Sequence, residues 1–215
     1  MRRVRILASV GLLFGLLAGC ASAPGLPETT YYRLPEAAPL ERLPEPVVSL
    51  PVVVETFFAD GLYSDQALIY SLDPDASRLR TYHYQIWIDP PVRLLQRRLI
   101  SAMRRAGVAR VVTDRLPAHM DTLRITGRIV RLERVRTASG WEAVVTLALR
   151  ADPSGGGRPW LIGEYHRQVA AQGESVADSV RAFGEALDGL NADFIADLVE
   201  HALDGHNAGN AVRMR

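Results

Sequence analysis

The chain contains no lysine: all 25 of its Lys/Arg positions are arginine. P-loop nucleotide binding and Schiff-base catalysis both require a lysine amine, so neither is available. Only one cysteine is present, Cys20, and it has no disulfide partner within the chain. No Gly-x-Ser-x-Gly elbow exists to present a serine nucleophile. The five histidines, His83, His119, His166, His201 and His206, lack the paired short-range spacing of a metal site, except that 201 and 206 lie close together near the C-terminus. The candidate carboxylates Asp60, Asp65, Asp73, Asp75 and Asp89 fall in expected loops, where turns and caps claim such residues first. No catalytic residue, metal or cofactor is therefore expected.

Long apolar runs are also missing. The longest, Ile6 to Leu17, has 12 residues, whereas a membrane-spanning helix needs about 20. It follows Arg2, Arg3 and Arg5 and precedes the small residues Ala18 and Gly19, the pattern of a removable signal peptide over residues 1–19. Leu17-Ala18-Gly19-Cys20 resembles the lipobox of bacterial lipoproteins, which implies that the Cys20 sulfur carries a diacylglycerol and the new N-terminus an acyl chain. At about 0.8 kcal/mol per buried CH₂, such chains anchor permanently. Ala21 is not the aspartate that resembles an inner-membrane retention signal, so an outer-membrane anchor facing the periplasm is expected. Three of the 25 basic residues leave with the signal, so 22 face 24 acidic ones, a formal −2 that excludes a nucleic-acid footprint.

What remains reads as three parts. Residues 20–46 are a lipidated N-terminus and a tether with prolines at 24, 27, 35, 39, 44 and 46, extended and semi-rigid, in which Tyr31, Tyr32 and Leu34 dock on the domain. Residues 47–204 form one domain, and 205–215 a flexible tail. Within the domain, Val48, Leu50, Val52 and Val54 alternate as a strand that Pro51 assigns to an edge or bulge. Ala67 to Leu72 is a short strand, and in the next Tyr82, Tyr84, Ile86 and Ile88 share the buried face. Asp89-Pro90-Pro91 caps a helix that ends at Gly107. Leu123, Ile125 and Ile129 alternate until Val130 and Leu132 switch parity, which predicts a bulge or a second buried surface. Two more strands follow, one carrying Trp141 to Leu149 and one Leu161 to Val169. Ser175 or Glu174 caps a last long helix with an apolar stripe from Val176 to Leu198. Alternating rather than continuous apolar strands favour an α+β fold, with an antiparallel or mixed sheet and two helices packed on one face.

The first helix carries Arg97, Arg98, Arg104 and Arg105, a basic cluster suited to anionic headgroups or an acidic partner, or else a solvated face. Phe57, Phe58, Tyr63 and Tyr70 suit either an interface or a core.

In order and spacing, Cys20, Tyr31-Tyr32-Arg33-Leu34, Val52-Val53-Val54, Ala67-Leu68-Ile69-Tyr70, Trp87-Ile88-Asp89-Pro90-Pro91, Leu123-Arg124-Ile125-Thr126-Gly127, the Glu142 to Leu149 strand and Phe183-Gly184-Glu185-Ala186-Leu187 together resemble the ABC-type transport auxiliary lipoproteins, including those of the Pqi type. Ser71 and Arg131-Leu132-Glu133 depart from the pattern of that subfamily. The resemblance implies a non-enzymatic envelope subunit that works with an MCE-domain substrate-binding protein and an ABC permease with its ATPase, moving phospholipid or related hydrophobic molecules. A homo-oligomer is a further expectation. Two other readings stand beside it: an outer-membrane assembly lipoprotein of the lipopolysaccharide-assembly type, and a lipid-anchored periplasmic hydrolase.

Overall fold

The structure, a computed structural model, describes residues 27–213. The expected signal peptide and Cys20 lie outside the described residues.

Nine strands form one mixed sheet: β1 (Thr30–Tyr32), β2 (Val52–Val54), β3 (Phe58–Ala59), β4 (Ala67–Ser71), β5 (Arg80–Trp87), β6 (Val112–Thr113), β7 (Leu123–Thr137), β8 (Gly140–Pro153) and β9 (Leu161–Ala170). Among the described residues two α-helices accompany them, α1 (Pro91–Ala106) and α2 (Val176–Arg213), with a 3₁₀ turn at Gly61–Ser64. The architecture is the expected α+β arrangement with a mixed sheet.

The 15-residue β7 is the axis of the sheet. Along one edge it pairs antiparallel with β8 from Leu123↔Pro153 to Thr137↔Gly140, and β9 continues that meander. Its other edge is shared in succession by three short parallel strands: β2 opposite Leu123 to Ile125, β3 opposite Arg128 and Ile129, and β4 opposite Arg134 and Val135. Parallel neighbours cannot be joined by a tight hairpin. Here α1 lies in the crossover between β5 and β6, and β6 then pairs beside β2.

The predicted bulge is present, because the β7–β8 register shifts between Ile129 and Arg131. Before it the odd residues Leu123, Ile125 and Ile129 face the helices; after it the even residues Leu132 and Arg134 do. This one shift lets a single strand keep burying apolar side chains as the sheet twists. Both helices pack on that face, where Leu99 and Met103 of α1 and Phe183, Leu187, Leu190 and Phe194 of α2 share one core with β7 and β8. Each such side chain contributes about 1.5–3 kcal/mol on burial.

Several local expectations are corrected. In β5 it is Trp87 that enters the core, against Phe183, while Tyr84 and Ile88 are exposed. The β4–β5 pairing is irregular between Ala67↔Ile86 and Ile69↔Thr81, which breaks the simple alternation the pattern assumed. Pro51 marks neither an edge nor a bulge: it precedes β2, which is flanked by β6 and β7, and its carbonyl accepts the Leu123 N–H. Asp89 does not cap α1 but pairs with Arg97. Gly107 does end α1 as expected, with φ +71°. Ser175 does cap α2, its hydroxyl accepting the Asp178 N–H while Asp178 accepts from the Ser175 N–H, a reciprocal capping box.

Candidate functional site: the strap and the arginines beneath it

Prolines keep residues 33–46 out of regular structure, but they do not hold this segment away from the domain. Tyr32 and Leu34 pack on the core as expected, and so do Leu40 and Leu43. Tyr31 points outward and is 62% exposed. Thr30 to Tyr32 pair with β5 in parallel, and the Leu43 N–H reaches the Ala106 carbonyl at the end of α1. The segment is therefore a strap laid along α1 and α2.

The arginines of α1 hold it there. Arg98 is buried; its Nη1 donates to the Pro35 carbonyl at 2.8 Å, its Nη2 to the Gly184 carbonyl at 3.1 Å and its Nε to Asp188 Oδ1 at 3.0 Å. The other Asp188 oxygen accepts the Ala38 N–H at 2.8 Å. Strap, α1 and α2 thus meet at one ion pair. Burial pulls the Arg98 guanidinium below its usual value; Asp188 opposes that shift and the nearby charge of Arg105 adds to it. Gly184 makes the crossing possible, since a Cβ there would lie 2.5 Å from Pro35 Cγ. Arg105 Nη1 donates to the Ala37 carbonyl at 3.2 Å, and Arg104 Nε to the Val112 carbonyl at 2.7 Å. Of the four arginines in the expected cluster, only Arg97 keeps to a surface ion pair, with Asp89.

A cleft of about 390 Å³ opens between strap and helix, lined among others by Arg33, Glu36, Leu94, Arg97, Ser101 and Arg105. Among the described residues, the buried side-chain nitrogens or oxygens with no hydrogen-bond partner are Nε and Nη2 of Arg105.

A second buried arginine, Arg134, fastens the far end of the sheet to the start of α2. It donates to Ser179 Oγ, the Tyr82 hydroxyl and the Glu174 carbonyl, with its guanidinium 3.7 Å from the centre of the Trp141 ring. Tyr70 stacks on Tyr82 and meets Trp141 edge-on. Tyr70 thus belongs to this packing, and Phe57 to the core, where it fills the space left by Gly127.

The face of the sheet opposite the helices is more open. Phe58 and Ile162 project from it, 62% and 64% exposed, among the ion pairs Arg124–Glu55, Arg128–Asp60 and Arg150–Asp152. Tyr63 reaches over this face to the buried Glu133, which also pairs with Arg131. Of the expected interface aromatics, Phe58 is the one that stands free on the surface.

Among the described residues the histidines do not converge. His166 Nδ1 lies 2.9 Å from Thr146 Oγ1, His83 contacts the Tyr84 ring and His201 the Trp160 ring. Among the described residues no group of three or more His, Cys, Asp or Glu side chains is placed to hold a metal ion, and no helix is long and apolar enough to cross a membrane. The loop carboxylates serve locally: Asp60 and Asp73 pair with Arg128 and Arg78, and Asp75 accepts the Ser77 N–H.

The family model for the ABC-type transport auxiliary lipoprotein component matches residues 32–196. Among solved structures, a DUF330-family protein from Xanthomonas campestris superposes with a TM-score of 0.71 at 17% identity, covering 83% of this chain and 99% of its own. A second crystal structure, of an uncharacterized protein, gives a TM-score of 0.59 at 15% identity, covering 80% and 99%. No curated protein matches the chain.

Proposed function

Because the chain belongs to the ABC-type transport auxiliary lipoprotein family, we propose that it acts by docking rather than by catalysis, as the membrane-anchored subunit of an ABC transport system. The anchor is Cys20, and the membrane is the outer one, seen from the periplasm. Its partners are an MCE-domain substrate-binding protein and the permease with its ATPase, and the cargo is phospholipid or a similar hydrophobic molecule. The chain itself forms a homo-oligomer in this assembly.

The observation that carries this reading is the strap. Thr30, where the chain enters the sheet, lies ten positions beyond Cys20. A fully extended chain covers at most about 3.3–3.6 Å per residue, so the domain is held within roughly 35 Å of the acyl chains. A rigid domain confined so near a membrane offers a partner a high local concentration, and a weak interface then suffices. Phe58 and Ile162, on the sheet face that the helices leave uncovered, supply apolar contacts for that interface.

Affinity capture of the anchored protein in mild detergent tests the reading. It predicts recovery of an MCE-domain protein or a permease component. Recovery of an outer-membrane β-barrel instead would move the chain to the assembly-lipoprotein reading.

A further inference from the structure

Arg105 has an unusual position among the arginines of this chain. Its Nη1 makes one bond, to the Ala37 carbonyl of the strap. Its Nε and Nη2, the two nitrogens that form the side-on fork of a guanidinium, are buried and have no acceptor among the described residues. Elsewhere in the molecule the same fork is filled by a carboxylate, as in Arg78 with Asp73 and Arg150 with Asp152. Asp188 is occupied by Arg98 and by the Ala38 N–H, and Asp89 is occupied by Arg97. A buried cation with unmet donors is costly, and two coplanar N–H groups fit two oxygens of a single oxyanion.

The surroundings favour such an anion. Arg33, Arg97, Arg98 and Ser101 line the same cleft, with Glu36 and Asp89 as its acidic members. The Arg98 donors are already spent on Pro35, Gly184 and Asp188, so Arg98 contributes its charge and not a contact. Leu34, Ile88 and Leu94 give the cleft an apolar wall, and its volume of about 390 Å³ accommodates a phosphate bearing an organic group.

We propose that the open fork of Arg105 binds a phosphate-class oxyanion in the cleft between strap and α1, with Arg97, Arg33 and the Ser101 hydroxyl at its rim. The chemistry is common to free phosphate and to the phosphodiester of a lipid headgroup. The fork is buried and the neighbouring Nη1 is held by the Ala37 carbonyl, so entry of the anion requires a local displacement of the strap. The inference does not depend on the transport reading, and either can fail without the other.

The test is titration of the full mature chain in detergent micelles, once with inorganic phosphate and once with glycerophosphoglycerol, a deacylated headgroup diester. Saturable binding is expected for at least one of them. Tighter binding of phosphate would assign the site to a free anion, and tighter binding of the diester to a headgroup. Arg105→Met is expected to weaken binding by about tenfold or more, and Arg105→Lys, which keeps the charge without the fork, by a smaller factor. Arg93→Met, which removes an exposed charge of α1 outside the cleft, is expected to leave it unchanged. Should Arg105→Met fail to fold, Arg105→Lys carries the comparison. Absence of saturable binding by both probes overturns the proposal, and so does an Arg93→Met loss as large as that of the Arg105 variants.

Discussion

Arg98 Nε and Asp188 Oδ1 lie 3.0 Å apart, and through this pair the strap, α1 and α2 are tied at one point. Removing one partner of a buried pair leaves the other charge uncompensated, which costs about 3–5 kcal/mol in comparable cases. Arg98→Met additionally releases the Pro35 and Gly184 carbonyls. The expected result is a lower urea midpoint together with faster hydrogen exchange at the Ala38 amide, whose acceptor Asp188 is then free to turn to solvent. A variant with a wild-type midpoint would show that the strap is held by its apolar side chains alone.

Two glycine substitutions should part ways. At Gly127 an added Cβ would lie 2.7 Å from the Phe57 ring inside the core, so Gly127→Ala is expected to cost about 1–3 kcal/mol in global stability. At Gly184 the obstacle is Pro35 of the strap. Alanine also favours the helix by about 1 kcal/mol relative to glycine. Gly184→Ala should therefore leave the unfolding midpoint nearly unchanged while exposing residues near Pro35 to limited proteolysis.

At alkaline pH the Tyr165 hydroxyl, which donates to Asp197 Oδ2 at 2.7 Å, becomes a liability. Burial first, and then Asp197, push its pKa well above the ordinary 10.0. The unfolded chain therefore loses this proton before the folded one does. The contribution is complete below pH 10 and declines as pH rises from there through the folded value. Tyr165→Phe should show a shallower loss of urea midpoint between roughly pH 9 and 11.5 than the parent; identical slopes would refute this assignment.

The opposite end of the pH range tests the cap of α2. The Ser175 hydroxyl, then the Ser175 N–H, hold the Asp178 carboxyl below its usual value of 3.8. A depressed carboxylate contributes stability above its unfolded value and loses it as pH falls through the folded one. Ser175→Ala, by removing the hydroxyl cap, is expected to cost about 1 kcal/mol at neutral pH and to flatten the dependence below pH 4. An unaltered acid profile would mean that Asp178 owes its low value to something other than Ser175.

The long strands and both helices were legible because their apolar residues recur at the period of the element they form. Even the β7 bulge could be read, since Leu132 falls on the wrong parity for Ile129 and only an extra residue reconciles them. The side that β5 buries was not legible: Tyr82, Tyr84, Ile86 and Ile88 alternate well, but the β4–β5 irregularity that brings Trp87 inward depends on a pairing partner distant in sequence. The strap was half legible. Its prolines correctly announce extended backbone, but extension says nothing about contact, and the contacts at Leu40 and Leu43 come from a helix surface some sixty residues away. The arginines were the least transparent. Arg97, Arg98, Arg104 and Arg105 look alike as a run on a helix, yet one is buried in an ion pair, two bind backbone carbonyls and one stays at the surface. Only the course of the strap and of β6 separates them.

Membrane anchoring rests on the sulfur of Cys20, and intact mass spectrometry of the mature protein from membranes measures its state. The predicted result is a chain beginning at Cys20 and heavier than its sequence by a diacylglyceryl group and an N-terminal acyl chain. A free thiol at that position, on a protein recovered in the soluble fraction, would contradict it.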